Sequence, residues 1–299
     1  MTGRIKLEHL YTALLGISAG IFLLAFVAIG FFIFLQGYPV FKDPGPAGFL
    51  LGLEWSPGAG KFGVFPMLVG SIAVTLGALV LGVPFSLLTA VFLAEYAPKR
   101  AVSVLNPAIE LLAGIPSVIY GLFGMTTVVP IVRALEKAFL TGQSAGAPAT
   151  GFSLLAAVMI LSIMIAPTVI NMGVDALQAV PREFKEGSLA LGATRWQTIK
   201  EVVLPVARSG IFTGIILGMG RAIGETMAVI MVAGNTALVP TSLFSPVRTL
   251  TSNIAIEIGY AAQGPHTQAL YGTGIVLFVL IVLLNALAVK IAAQGGQVK

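Results

Sequence analysis

The stretch GMGRAIGETMA, residues 218–228, places Arg221 and Glu225 near the middle of an otherwise apolar run from Gly210 to Val232. A guanidinium offers forked donors that match the oxygens of an oxyanion, and it stays charged at any physiological pH. Arg221 lies 11 residues beyond Gly210, or about 16 Å along a helix, close to the midplane of a bilayer. At that depth an arginine or an acid costs about 2.5–3.5 kcal/mol on insertion scales. Each must therefore face the protein interior or a water-filled path. Helical positions four apart share a face, which would set the carboxylate beside the guanidinium. A purely structural pair explains little, because arginine ahead of glutamate is the less favourable order and such pairs contribute only about 0.5 kcal/mol. The chemistry expected is anion binding by Arg221. Glu225 has two candidate tasks, neutralising Arg221 when no anion is present or accepting a hydrogen bond from a protonated anion oxygen. Ser117, Tyr120, Thr226 and Asn235 are further polar candidates for lining the path.

These residues must be held in a membrane. Of 299 residues 57% are hydrophobic and only 10% charged, against roughly a quarter charged in soluble domains, and the mean hydropathy is +0.98. Runs long enough to cross roughly 30 Å of hydrocarbon occur at 11–35, 67–93, 111–132, 151–173, 210–232 and 270–289. Their continuity excludes barrel strands, so the fold expected is all-α with six transmembrane helices. The first run is too long for a signal peptide and is read as a retained span. With the N-terminus inside, eleven of the 17 Lys and Arg fall in cytoplasmic segments and five outside, Arg221 being the remaining one. This asymmetry places both termini in the cytoplasm. The basic residues form no patch with interleaved aromatics, which argues against nucleic-acid binding. No cysteine is present, so disulfides and thiolate metal sites are excluded, and no metal site is expected.

The outer segment after the first run is rich in Gly and Pro and is expected to be irregular. Its WSPGAGKFG lacks the first glycine of a phosphate-binding loop and has Phe62 where Ser or Thr would hold magnesium, so it reads as a flexible loop. A second outer segment, 245–265, holds either a short helix starting at Pro246 or a plain connection. Pro84, Pro116 and Pro167 are candidate kinks within spans. Gly210, Gly214 and Gly218, with Gly220 and Gly224, form small-xxx-small patterns that permit close helix packing, and they suggest that this span meets a second subunit.

The longest inner loop, 174–208, has soluble helix signals. Pro181 with Glu183 and Glu186 starts one helix and Gly192 stops it. Thr194 and Gln197 make a capping box for a second, which Pro205 should end near Leu204. The resulting elbow is either a connector packed on the protein's own membrane base or a docking element anchored by Phe184, Leu189, Leu191 and Trp196. Its EGSLALG, nine residues, then VVLP resembles the EAA loop of ABC importer permeases, with Glu186, Gly192, Leu204 and Pro205 on the pattern and Gly187 and Ser188 replacing its two alanines. LLAGIPSVIYGLFG at 111–124 and GRAIGETMAVIMVAGN at 220–235 resemble the phosphate-importer branch of that family, of the PstC type.

The resemblance covers roughly residues 67–290. It implies a MetI-like ABC importer permease fold, with an N-terminal tail, first helix and outer loop at 1–66 and a five-helix core at 67–293. The elbow, through Phe184, Glu186, Gly192, Trp196, Leu204 and Pro205, would couple to a cytoplasmic ATPase dimer of the PstB type, which binds ATP and Mg in place of this chain. A second permease subunit of the PstA type and an extracytoplasmic phosphate-binding protein of the PstS type complete the expected complex in a bacterial inner membrane. The chain itself would then be non-catalytic. A permease for another oxyanion such as sulfate or molybdate remains an alternative, as does an ion-coupled secondary transporter, which has no need of an ATPase-docking elbow.

Overall fold

A computed structural model describes residues 2–139 and 149–295. Thirteen α-helices dominate these residues, and six helical stretches are long and apolar enough to cross a membrane. They are Tyr11–Phe41, Phe65–Tyr96, Ser117–Phe139, Leu154–Gln178, Arg195–Gly224 and Pro265–Lys290. The basic terminal residue Lys299, counted above as cytoplasmic, lies outside the described residues.

Helix α1 (Thr2–Gly37) leads through a 3₁₀ turn to α2 (Gly45–Leu51) and a small antiparallel hairpin, β1 (Trp55–Ser56) with β2 (Lys61–Phe62). The expected irregular and flexible outer loop is thus ordered. Gly60 takes the left-handed turn conformation, which lets WSPGAGKF fold back on itself. Next come α3 (Phe65–Val91), which ends in a wide π-turn at Phe92–Tyr96, and α4 (Lys99–Gly114). Ile115 is extended ahead of Pro116, as steric conflict with a following proline ring demands. The chain restarts as α5 (Ser117–Phe123), a second π-turn at Gly124–Val128 and α6 (Val129–Phe139). The third span accordingly begins at Ser117 and not at Leu111, because Pro116 breaks the apolar run. Pro84 and Pro167, by contrast, sit inside unbroken helices.

Helix α7 (Leu154–Gln178) is the hub. Two thirds of its apolar window (67%) is buried, against 0% for α1, so α7 is surrounded by protein while α1 presents itself to lipid. Along α7, small residues bring the neighbours close. A Cβ on Gly77 or Gly82 of α3 would crowd Val158 or Ile165. On α10 (Leu204–Gly224), a Cβ at Gly210, Gly214 or Gly218 would press on Ala176, Met172 or Val169. The glycine seam is therefore filled by the chain's own α7 and cannot also form the contact with a second subunit. Gly220 and Gly224 face open space.

The elbow comprises α8 (Arg182–Ala190) and α9 (Arg195–Thr198). Gly192 is left-handed, and Thr194 and Gln197 form the reciprocal capping box. The second elbow helix does not stop at Leu204. A third π-turn, Ile199–Val203, carries it into α10, and Pro205 falls in the first turn after that widening. There its missing N–H and its ring cost the ladder least. The last residue of α11 (Met227–Val232) and the irregular segment that follows supply carbonyls to the start of α7: Ser153, Leu154 and Leu155 donate to Val232, Ser245 and Leu243. Helix α12 (Leu250–Glu257) is capped by Thr249 and not by Pro246, and α13 (Pro265–Gly295) closes the fold against α1, with Phe32 edge-on to Tyr271.

Candidate functional site

The run 210–232 is not one helix. Helix α10 ends at Gly224, Glu225 is extended with φ −69° and ψ 130°, and α11 begins at Met227. The break has its own supports. Thr226 Oγ1 donates to the Gly224 carbonyl at 3.2 Å, and Thr251 of α12 donates to the Glu225 carbonyl at 3.0 Å. Glu225 Oε1 accepts from the Ala228 amide at 3.0 Å. The carboxylate thus covers an unpaired amide at the start of α11, and Arg221 occupies the last turn of α10. Each charge stands at the helix end whose dipole favours it, negative at an N-terminus and positive at a C-terminus. Irregular backbone at membrane depth is tolerated where it is enclosed by protein or lines a water-filled cavity.

The expected face-to-face pairing of Arg221 with Glu225 does not occur. Among the described residues no carboxylate lies within 4.0 Å of the Arg221 guanidinium, and Glu225 directs one oxygen to the backbone. The four-residue spacing would place them together only in an unbroken helix. Arg221 is half-buried, and Tyr120 lies within its electrostatic reach. Tyr120 is only 5% exposed, and its hydroxyl donates to the Leu112 carbonyl at 2.7 Å, so it staples the end of α4 across the Pro116 break. Ser117 opens α5, half-buried, three residues ahead of Tyr120. Asn235 is not with this group. It takes a left-handed conformation, donates to the Ile230 carbonyl at 2.6 Å and offers its own carbonyl to Arg248.

On the elbow, Phe184, Leu189 and Trp196 are about half exposed and Leu191 is 91% exposed. Glu186 and Gly192 are exposed beside them, while Leu204 and Pro205 sink into the base of α10. Four large apolar side chains thus stand in the open on a charged elbow and are not packed against the chain's own spans.

Residues 82–293 match the family described as binding-protein-dependent transport system inner membrane component. The chain belongs to this family. As a member it is a multi-pass component of the inner membrane, and it shares 41% identity over 87% of its length with the probable ABC transporter permease protein YqgH of Bacillus subtilis, covering 82% of that protein. It is 38% identical to the phosphate transport system permease protein PstC of Mesorhizobium japonicum, over 83% of this chain and 80% of that one. Solved structures agree on the fold. The MetNI methionine ABC transporter in an inward-facing form matches 78% of this permease and 94% of its own chain, with a TM-score of 0.55 at 20% identity. A bacterial ABC transporter that imports alginate matches 88% of each chain with a TM-score of 0.58 at 18% identity.

One cluster in the permease was not foreseen from its sequence. Between Thr226 and Val289 the Arg, Lys, His, Asp and Glu residues number three, Arg248, Glu257 and His266, and all three meet in one cluster. Glu257, 5% exposed, accepts from Arg248 Nη1 at 2.8 Å and from Trp55 Nε1 at 2.9 and 3.0 Å, and it contacts His266 Nε2 at 2.8 Å. Arg248 also donates to Asn253 and Asn235. The cluster pins the outer hairpin to α12 and α13 beside a recess of about 500 Å³. The available signal was the isolation of these three charges in a long uncharged stretch. Replacing Glu257 with alanine would leave Arg248 buried without its counter-charge. A loss of about 3 kcal/mol is expected, visible as a lowered thermal unfolding midpoint in detergent. An unchanged midpoint would show that the outer cluster carries no stability.

Proposed function

We infer that this chain is the transmembrane permease subunit of an ATP-driven importer of inorganic phosphate. The observation that carries the inference is Arg221, a guanidinium without a carboxylate partner among the described residues, at the broken end of α10. Such a group can bind and release an anion without first losing a protein ion pair. The printed names of relatives such as the Mesorhizobium protein, phosphate transport system permease, support phosphate as that anion. Glu225 keeps its second oxygen, Oε2, without a hydrogen-bond partner among the described residues. That acceptor suits a protonated phosphate oxygen and would disfavour sulfate, which carries no proton at neutral pH. This favours the selectivity task for Glu225 over the neutralising one.

The exposed elbow supports coupling to a cytoplasmic ATPase dimer, which would bind ATP and Mg in its own sites. The open Gly220 and Gly224 face of α10 is the part of that helix left for a second, PstA-type permease. A PstS-type phosphate-binding protein would deliver substrate from outside, and the basic bias of the inner loops puts both termini in the cytoplasm. The chain performs no hydrolysis in this scheme. Its N-terminal unit is 1–66 and its core 67–293.

Uptake of labelled phosphate into proteoliposomes holding the assembled complex, with sulfate as competitor, tests this reading. Glu225→Gln keeps a side-chain carbonyl for the Ala228 amide but removes the charge. Phosphate preference over sulfate is expected to fall about tenfold, the worth of one charge-assisted hydrogen bond at its lower bound. A ratio identical to the parent's would sink the selectivity role, and ATP-dependent uptake of sulfate but not phosphate would sink the substrate assignment.

A further inference from the structure

We propose that Glu95 and Lys185 form the positioning pair through which the cytoplasmic elbow moves α3 together with α10. The proposal rests on the importer reading above. The elbow is joined covalently to two spans, to α7 through residues 179–181 and to α10 through the π-turn at Ile199–Val203. Helix α3 is 90 residues away in sequence from Lys185, yet Lys185 Nζ reaches Glu95 Oε1 at 2.6 Å. The same ammonium lies 3.5 Å from the Leu177 carbonyl in the last turn of α7. One side chain of α8 therefore touches both the end of α7 and the end of a further span, α3.

The grip is double. Arg195, at the start of α9, places its guanidinium 4.7 Å from the centre of the Tyr96 ring, a cation–π distance. Within the elbow, the hydroxyls of Ser188 and Thr198 stand 3.0 Å apart and tie α8 to α9. Both elbow helices thus hold adjacent residues of the π-turn that ends α3. Among the described residues Lys185–Glu95 is the one ion pair between the elbow and a membrane span, since Lys200 pairs with its neighbour Glu201 in the open. The side chains of Lys185 and Glu95 are 24% and 11% exposed, so water and salt screen the pair far less than a surface pair. Above it, α3 and α7 are locked by the close approaches at Gly77, Gly82 and Gly173. A displacement of the elbow is then passed to α3 and α7 as one unit, while the π-turn passes it to α10 and Arg221. With the pair removed, residues 179–181 would bend and absorb the displacement.

The test uses the full complex in proteoliposomes, with phosphate uptake and ATP hydrolysis measured on the same sample. Glu95→Gln and Lys185→Met are each expected to sustain hydrolysis while phosphate moved per ATP falls about threefold to tenfold, the range in which single residues alter coupling. The reciprocal exchange, Glu95→Lys with Lys185→Glu, is expected to restore the ratio to within about twofold, which general destabilisation would not do. Single variants that move as much phosphate per ATP as the parent overturn the proposal. So does an exchange that folds with the parent's thermal midpoint but restores nothing. A spin-label pair at Val80 of α3 and Leu24 of α1, a span that packs on α13, gives a readout independent of substrate. Its ATP-driven distance change should vanish in Glu95→Gln, and its persistence there overturns the pair's role whatever anion is carried. Failure of the parent to take up phosphate while that change is present counts against the phosphate reading alone.

Discussion

Arg221→Gln is expected to lower the initial rate of phosphate uptake about a hundredfold. A charged hydrogen-bonding group contributes about 1.5–3 kcal/mol to holding its partner, and the proposed contact is bidentate. Arg221→Lys keeps the charge but loses the planar fork, so a loss nearer tenfold is expected. Neither change should harm assembly. Arg221 has no carboxylate partner among the described residues, and its attraction to the C-terminal end of α10 is worth only about 0.3–1 kcal/mol. The measurement is labelled phosphate uptake at equal amounts of assembled complex. Parental uptake by the glutamine variant would refute the anion role and leave the arginine as a structural device of the helix break.

The second large effect is expected on the elbow. Leu191 is 91% exposed and Trp196 is about half exposed, and aromatic anchors of this kind dominate docking energies. Trp196→Ala is expected to weaken association with the ATPase at least about thirtyfold, corresponding to 2 kcal/mol or more. Leu191→Asp should do at least as much, by placing a charge where a desolvated contact forms. Co-purification in detergent at graded salt reads the effect. Because neither side chain is buried within this chain, the variants should insert and fold as the parent does. If the ATPase is retained in full by both, the apolar face of the elbow is not its seat.

The spans were legible because bilayer thickness imposes a length that a run of apolar residues either meets or misses. The elbow was legible for another reason: Gly192, Thr194 and Gln197 act locally, and each does in the structure what its side chain dictates. What escaped was long-range or depended on backbone continuity. Hydropathy treats Gly224-Glu225-Thr226 as a minor dip in an apolar run, whereas the chain stops one helix there and starts another. Hydropathy likewise joins Leu111–Gly114 to the third span, because it does not register the helix break at Pro116. Glu257 was unreadable because its partners Trp55 and His266 lie 202 and nine residues away, and no periodicity links them. Pro205 misled because a proline usually marks an end, and the π-turn before it let the helix continue.

That π-turn also fixes the phase of the rotor above it. One residue corresponds to about 100° of rotation about a helix axis, and a π-turn holds one residue more than the regular turn it replaces. Every side chain of α10 is therefore clocked from the five residues Ile199–Val203. Shortening this collar by one position would leave the composition, the hydropathy and the elbow anchors as they are. It would turn Arg221 about a quarter revolution off its present bearing and swing the Gly210, Gly214 and Gly218 stripe away from α7. The azimuth of the guanidinium is thus set not where the charge sits but at the elbow end of the helix, where it has been wound one residue loose.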